Sequence, residues 1–134
     1  MSLAAVDLHW LAGLLEGEGT FVSDKAGRSP TIRCRMNDKD IVQRVATIMK
    51  GRFTGPYQYG SHAQPHWCVS VNGTFAASWM MTLYKFLGIR RKKKIAEILS
   101  LWKTLPRRKR LKYICHPDHK AVAKSLCRSC YNQQ

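Results

Sequence analysis

Residues 11–19, LAGLLEGEG, form an apolar, glycine-spaced run that ends in two carboxylates, Glu16 and Glu18. Leu8, Leu11, Ala12 and Leu15 fall on one stripe at helical spacing, which predicts a helix over residues 8–17 with Asp7 as its N-cap. Gly13 and Gly17 fall on roughly the opposite side, beside Trp10. A glycine costs a helix interior about 1 kcal/mol relative to alanine. Two of them, four residues apart, point to a second helix approaching closely, as small-xxx-small surfaces allow. The acids constrain the chain as much. Negative charge at a helix C-terminus faces the negative end of the macrodipole and is mildly unfavourable. A bound cation reverses that sign. The bland alternative is a surface helix that merely ends in acid, and it leaves the coincidence of glycines and carboxylates unexplained.

Charge points to a polyanionic partner. With 23 Lys and Arg against 8 Asp and Glu, the net charge is +15 on 134 residues. The imbalance is uneven: beyond residue 40 there are 18 basic residues and two acids, Glu97 and Asp118. Such a surface repels itself unless a polyanion neutralises it, and DNA, RNA and anionic membrane are the usual candidates. Membrane ranks third, because no stretch approaches the roughly 20 apolar residues that span a bilayer. The first residues do not have a basic segment ahead of an apolar run, so an intracellular location is expected. General solubility is the alternative reading of the charge.

The length suits a compact domain over residues 1–106, a basic linker over 107–114 and a short appendage over 115–134. Five cysteines without a secretion pattern favour metal binding or free thiols over disulfides. No internal repeat appears, and LAGLLEGEG occurs once.

Patterning predicts the order of elements. A strand over residues 20–23 follows the first helix, then a turn over 24–30. Residues 31–36 alternate clearly: Ile32, Cys34 and Met36 share one face, Thr31, Arg33 and Arg35 the other. One face is core. The other sets two arginines along a sheet surface, able to meet phosphates or guanine edges, or simply solvent. Asp38 is expected to cap a helix reaching Met49, with Ile41, Val42, Val45 and Ile48 inward. Residues 53–59 and 66–72 read as a strand pair, with Pro56 marking the first as an edge or bulged strand. Helices over residues 74–86 and 89–103 complete the order, the last with Ile95, Ile98, Leu99 and Trp102 inward. Cys34 and Cys68 read as small core residues.

The nine-residue run resembles the LAGLIDADG motif of homing endonucleases. Leu11 to Leu14 and Gly19 match as written, Leu15 stands at the Ile position, and Glu16 and Glu18 stand at the two Asp positions. The resemblance implies an α+β, αββαββα fold, with a four-stranded antiparallel saddle on DNA backed by helices. It implies two motif helices packed side by side, through Trp10, Gly13 and Gly17. The acid before the last glycine, Glu18, then reaches the scissile phosphates and binds Mg²⁺, a hard cation suited to oxygen donors, with Glu16 as a neighbour that caps or orients. A single motif implies a second copy, hence a homodimer on a palindromic or nearly palindromic double-stranded DNA site. Glutamate in place of aspartate moves the carboxylate outward by a methylene.

The run Arg90-Arg91-Lys92-Lys93-Lys94 opens a helix, where its charges oppose one another and the positive end of the dipole. By the resemblance, a basic residue here stands near the active site, with Lys92 first and Lys94 next. Arg90, Arg91 and Lys93 are then DNA contacts, as are Arg28, Arg33, Arg35, Gln58 and His66. A generic nuclear-targeting or RNA-binding patch is the alternative for the run.

The C-terminal residues Cys115, His116, His119, Cys127 and Cys130 offer soft and borderline ligands for a structural tetrahedral Zn²⁺, with one of the two histidines taking part. They resemble the zinc-knuckle-like tails of some phage and mobile-element nucleases; free thiols are the alternative. The whole reads as a site-specific, Mg²⁺-dependent DNA endonuclease making double-strand breaks, of the kind encoded by introns or phage. The same fold without cleavage, as a DNA-binding regulator or an RNA-splicing maturase, is the second reading. A zinc-ribbon adaptor with a nonspecific basic surface is the third.

Overall fold

The computed structural model describes residues 3–105; the expected linker and the candidate zinc ligands Cys115, His116, His119, Cys127 and Cys130 lie outside the described residues. Helix α1 (Ala5–Glu18) runs straight into strand β1 (Gly19–Val22), which returns antiparallel as β2 (Thr31–Met36). Helix α2 (Lys39–Met49) leads to β3 (Arg52–Tyr57) and β4 (His66–Asn72), followed by α3 (Gly73–Leu83), a 3₁₀ turn (Tyr84–Phe86) and α4 (Ile89–Thr104). The fold is α+β, and its αββαββα order is the one the patterning predicts.

The strands form one antiparallel sheet in the order β1-β2-β4-β3. Alternation decides its two faces. Phe21, Ile32, Cys34, Val69 and Val71 turn inward and share a core with Leu11, Leu15, Val42, Val45, Met49, Met80, Leu83 and Ile95 from the helices. The opposite face carries polar and basic side chains. Strand β3 lies at the edge, and its pairing is irregular between Thr54 and Tyr57, the stretch that holds Pro56.

Two expected caps are not made. Helix α1 starts earlier than predicted, with Ala4 as N-cap, so Asp7 sits in the first turn and bonds Arg44 at 3.4 Å instead. There the carboxylate still meets the positive end of the dipole. Asp38 does occupy the N-cap position of α2, but its side chain accepts no capping hydrogen bond; its carbonyl accepts from the Val42 N–H.

Candidate nucleic-acid interface

The register builds the open face of the sheet row by row. Thr20 pairs with Arg33, Arg33 with Ser70 and Ser70 with Arg52, so these four residues cross all four strands in a line. Arg35, Cys68 and Thr54 form the next row. Arg33, Arg35 and Arg52 are exposed. Three guanidinium groups thus stand on one side of a sheet whose other side is core. Each offers a planar fork of donors that matches phosphate oxygens or a guanine edge. Arg52 escaped the sequence reading, which began the strand at Phe53. The signal was present: Arg52 and Thr54 alternate with an inward Phe53 immediately after Gly51.

The other predicted contacts are distributed differently. Arg28 is exposed in the β1–β2 turn, its backbone N–H donating to Asp24 Oδ1 at 2.6 Å. The Ser29 N–H donates to the same oxygen, and these backbone bonds, that of Ser29 foremost, hold the Asp24 carboxyl below its usual range. Gln58 lies beyond β3 in the loop, where its Nε2 donates to the Ala63 carbonyl at 2.7 Å. His66 is half-buried and stacked on Tyr59, ring centroids 5.3 Å apart, with Tyr57 at 5.6 Å. Its Nε2 is buried with no partner among the described residues.

Glu18 is the last residue of α1 and is exposed. Helix and strand join here without a loop: the Gly19 N–H donates to the Leu15 carbonyl while the backbone at Gly19 is already extended. A Cβ at position 19 would sit 2.6 Å from that carbonyl oxygen. Only glycine lets the chain turn this tightly, and the turn delivers Glu18 to the start of β1, beside Thr20. The charge of Glu18 is felt inside the sheet. Burial first, then Glu18 and Cys68, push the Cys34 thiol up to about 11 from 9.0. Among the described residues no three His, Cys, Asp or Glu side chains gather into a metal cluster. The exposed Glu18 carboxylate is a hard-oxygen donor of the kind that Mg²⁺ or Ca²⁺ takes.

Helix α4 packs on β1 and brings its cations alongside. Arg90, Arg91, Lys93 and Lys94 line a shallow groove with Thr20, Phe21 and Glu97. Lys92 points elsewhere, its Nζ 5.6 Å from the centre of the Tyr84 ring. Of the two lysines that the motif resemblance offers, Lys94 is therefore the one on the groove that begins at Thr20. The Nε of half-buried Arg91 donates to the Glu16 carbonyl at 3.2 Å. Glu16 in turn accepts the Gly88 N–H through Oε2 at 2.9 Å.

Among the described residues, nothing lies within 4 Å of where a Cβ at Gly13 or Gly17 would sit. Trp10, on the same side of the helix, is half-buried and lies under the Arg44 guanidinium, 3.8 Å from the ring centre.

The four-stranded antiparallel sheet backed by helices matches the fold of solved homing endonucleases. Comparison with protein-family models and with curated proteins finds no match. Solved structures do match. The homing endonuclease I-CvuI in complex with its target, in the presence of calcium, is similar at a TM-score of 0.57 and 18% identity, over 79% of this chain and 71% of that one. I-CvuI with the I-CreI target and magnesium, its DNA not cleaved, gives 0.55 and 16%, over 76% and 69%. The group I intron-encoded homing endonuclease I-CeuI complexed with DNA gives 0.52 and 14%, over 77% and 56%. At these identities the likeness is one of fold. No described helix is long and apolar enough to cross a membrane.

Proposed function

We propose that the protein is a single-motif LAGLIDADG endonuclease that cuts double-stranded DNA at a specific site as a homodimer. The observation that carries this reading is the placement of Glu18. The exposed carboxylate closes a helix whose outer glycines no described residue covers, at the edge of a sheet bearing Arg33, Arg35 and Arg52. The solved structures of the same fold support it, being complexes of homing endonucleases with DNA or target.

In this reading each residue has one task. Gly13 and Gly17 admit the partner's α1 at close range, with Trp10 at the rim, and bring two copies of Glu18 together. The Glu18 carboxylates hold divalent metal. When bound, Mg²⁺ would activate water and neutralise charge on the phosphate. Lys94 sets a further cation beside the scissile phosphate. Arg33, Arg35 and Arg52 read or hold the duplex, with Arg28, Arg90 and Lys93 on flanking phosphates. The tail cysteines with His116 or His119 bind Zn²⁺, which loss of tail structure on chelation would test by circular dichroism.

The decisive experiment exposes a randomised duplex library to the purified full chain with Mg²⁺. A single enriched cleavage site is expected. Glu18→Gln should abolish cutting while leaving affinity for that site equal or tighter, since it removes negative charge facing phosphate. Binding without cutting by the wild type would favour the regulator or maturase reading.

A further inference from the structure

The two acids of the motif face different work, and that of Glu16 lies inside the protein. Helices α1 and α4 are separated by 70 residues of chain, yet two hydrogen bonds join them at one point. The Gly88 N–H at the N-cap of α4 donates to Glu16 Oε2 at 2.9 Å, and Arg91 Nε donates to the Glu16 carbonyl at 3.2 Å. Each bond serves a group that its own helix cannot satisfy, an N-terminal amide in one case and a C-terminal carbonyl in the other. Each also sets the favourable charge at a helix end: a carboxylate at the start of α4, a guanidinium at the close of α1. The fit is close. A Cβ at Gly88 would sit 2.8 Å from Glu16 Oε1, and the Arg91 guanidinium lies 5.8 Å from the centre of the Phe21 ring.

Glu18 follows Glu16 by two residues, and Lys94 follows Arg91 by three, on the groove shared with Thr20. We propose that Glu16 and Arg91 are positioning residues, a clamp that sets Glu18 against the cationic first turns of α4. The proposal rests on the endonuclease reading. In it Glu16 binds no metal, and Arg91 acts first within the protein and only then on DNA. Neither hydrogen bond is readable from the motif, because the partners lie more than 70 residues apart.

The test uses the full chain and the site recovered from the duplex library, at a temperature where every variant keeps the wild-type circular dichroism. Three variants are compared: Glu16→Ala, Glu16→Gln and Gly88→Ala. Glu16→Ala removes the acceptor, and a misplacement near 1 Å at the reacting centre can lower a rate ~10²-fold. Its single-turnover cleavage should fall by that order while the Kd for uncut DNA stays at the wild-type value. Glu16→Gln keeps an oxygen for the Gly88 N–H and should recover most of the rate. Gly88→Ala crowds Glu16 Oε1 and makes the carboxylate shift without removing it, and should lower the rate by less than Glu16→Ala does. Hydrogen exchange at the Gly88 amide gives a readout independent of cleavage: it should quicken about tenfold to a hundredfold in Glu16→Ala, the range for a charge-assisted bond. Wild-type cleavage by folded Glu16→Ala overturns the proposal, as does a rate loss matched by lost DNA affinity. Unchanged exchange at Gly88 overturns the clamp whether or not the wild type cuts. A wild type that cuts no duplex overturns the endonuclease reading instead.

Discussion

Residue by residue, the motif divides its labour among neighbours. Glu18 looks outward, Glu16 is turned to Gly88, and Gly19 clears the Leu15 carbonyl by carrying no side chain. The influence of Glu18 extends to Cys34, which pairs with Gly19 across the ladder. Burial, then the Glu18 charge, then Cys68 raise the Cys34 thiol to about 11, so the unfolded chain releases this proton first. The protonated thiol thus contributes stability that is full below its ordinary 9.0 and is lost as pH rises through about 11. Denaturant unfolding followed from neutral pH to alkaline pH should show the difference between wild type and Cys34→Ala shrinking across that window. Glu18→Gln should lower the thiol's titration midpoint. A difference that stays flat with pH would remove the coupling. Cys34 was legible as a core residue from alternation alone. Its coupling to Glu18 was not, because it depends on which residue the ladder sets opposite.

At the level of elements, sequence periodicity located the helices and strands because each buries one stripe or one face, and that stripe is written in the order of residues. Leu11, Ala12 and Leu15 on α1 and Val42 and Val45 on α2 are buried as their spacing requires. What periodicity could not supply was the ends. Asp7 was read as a cap, yet the first turn begins before it and the carboxylate bonds Arg44 from another helix. Gln58 was read inside a strand reaching residue 59, yet β3 stops at Tyr57 and the glutamine side chain bonds within the following loop. The glycine face of α1 gives the sharpest element-scale prediction. Since a Cβ at Gly17 meets nothing within 4 Å among the described residues, Gly17→Leu should not disturb the fold of a single chain. Replacing a helical glycine should even favour the helix by up to about 1 kcal/mol. If two α1 helices pack there, the same leucine blocks their approach. Sedimentation should then show a dimer in the wild type and a monomer in Gly17→Leu, with helix content by circular dichroism unchanged. A wild type that is monomeric at every concentration, with and without DNA, would end the shared-site arrangement.

The whole chain is a cation, and among the described residues basic side chains gather on the open sheet face and at the start of α4. Binding that neutralises phosphates releases condensed counterions, so log K falls with log of salt at about −0.9 per phosphate contact on duplex DNA. This turns architecture into a number. One saddle on a half-site should give a certain slope, and two saddles on a full palindrome should give about twice that slope, because the two-fold axis repeats every contact. The comparison is made by titrating the same protein against the two duplexes from low to moderate salt, without divalent metal so that nothing is cut. Arg52→Ala then calibrates the scale. If Arg52 meets phosphate, the variant's slope should be shallower by about 0.9 on the half-site and about 1.8 on the palindrome, since the dimer loses two contacts. If Arg52 meets a base edge, affinity falls by about 1–3 kcal/mol per contact for one sequence only and the salt slope hardly moves. Equal slopes on half-site and palindrome would mean that a single chain engages DNA, and that the two Glu18 carboxylates never meet over one duplex.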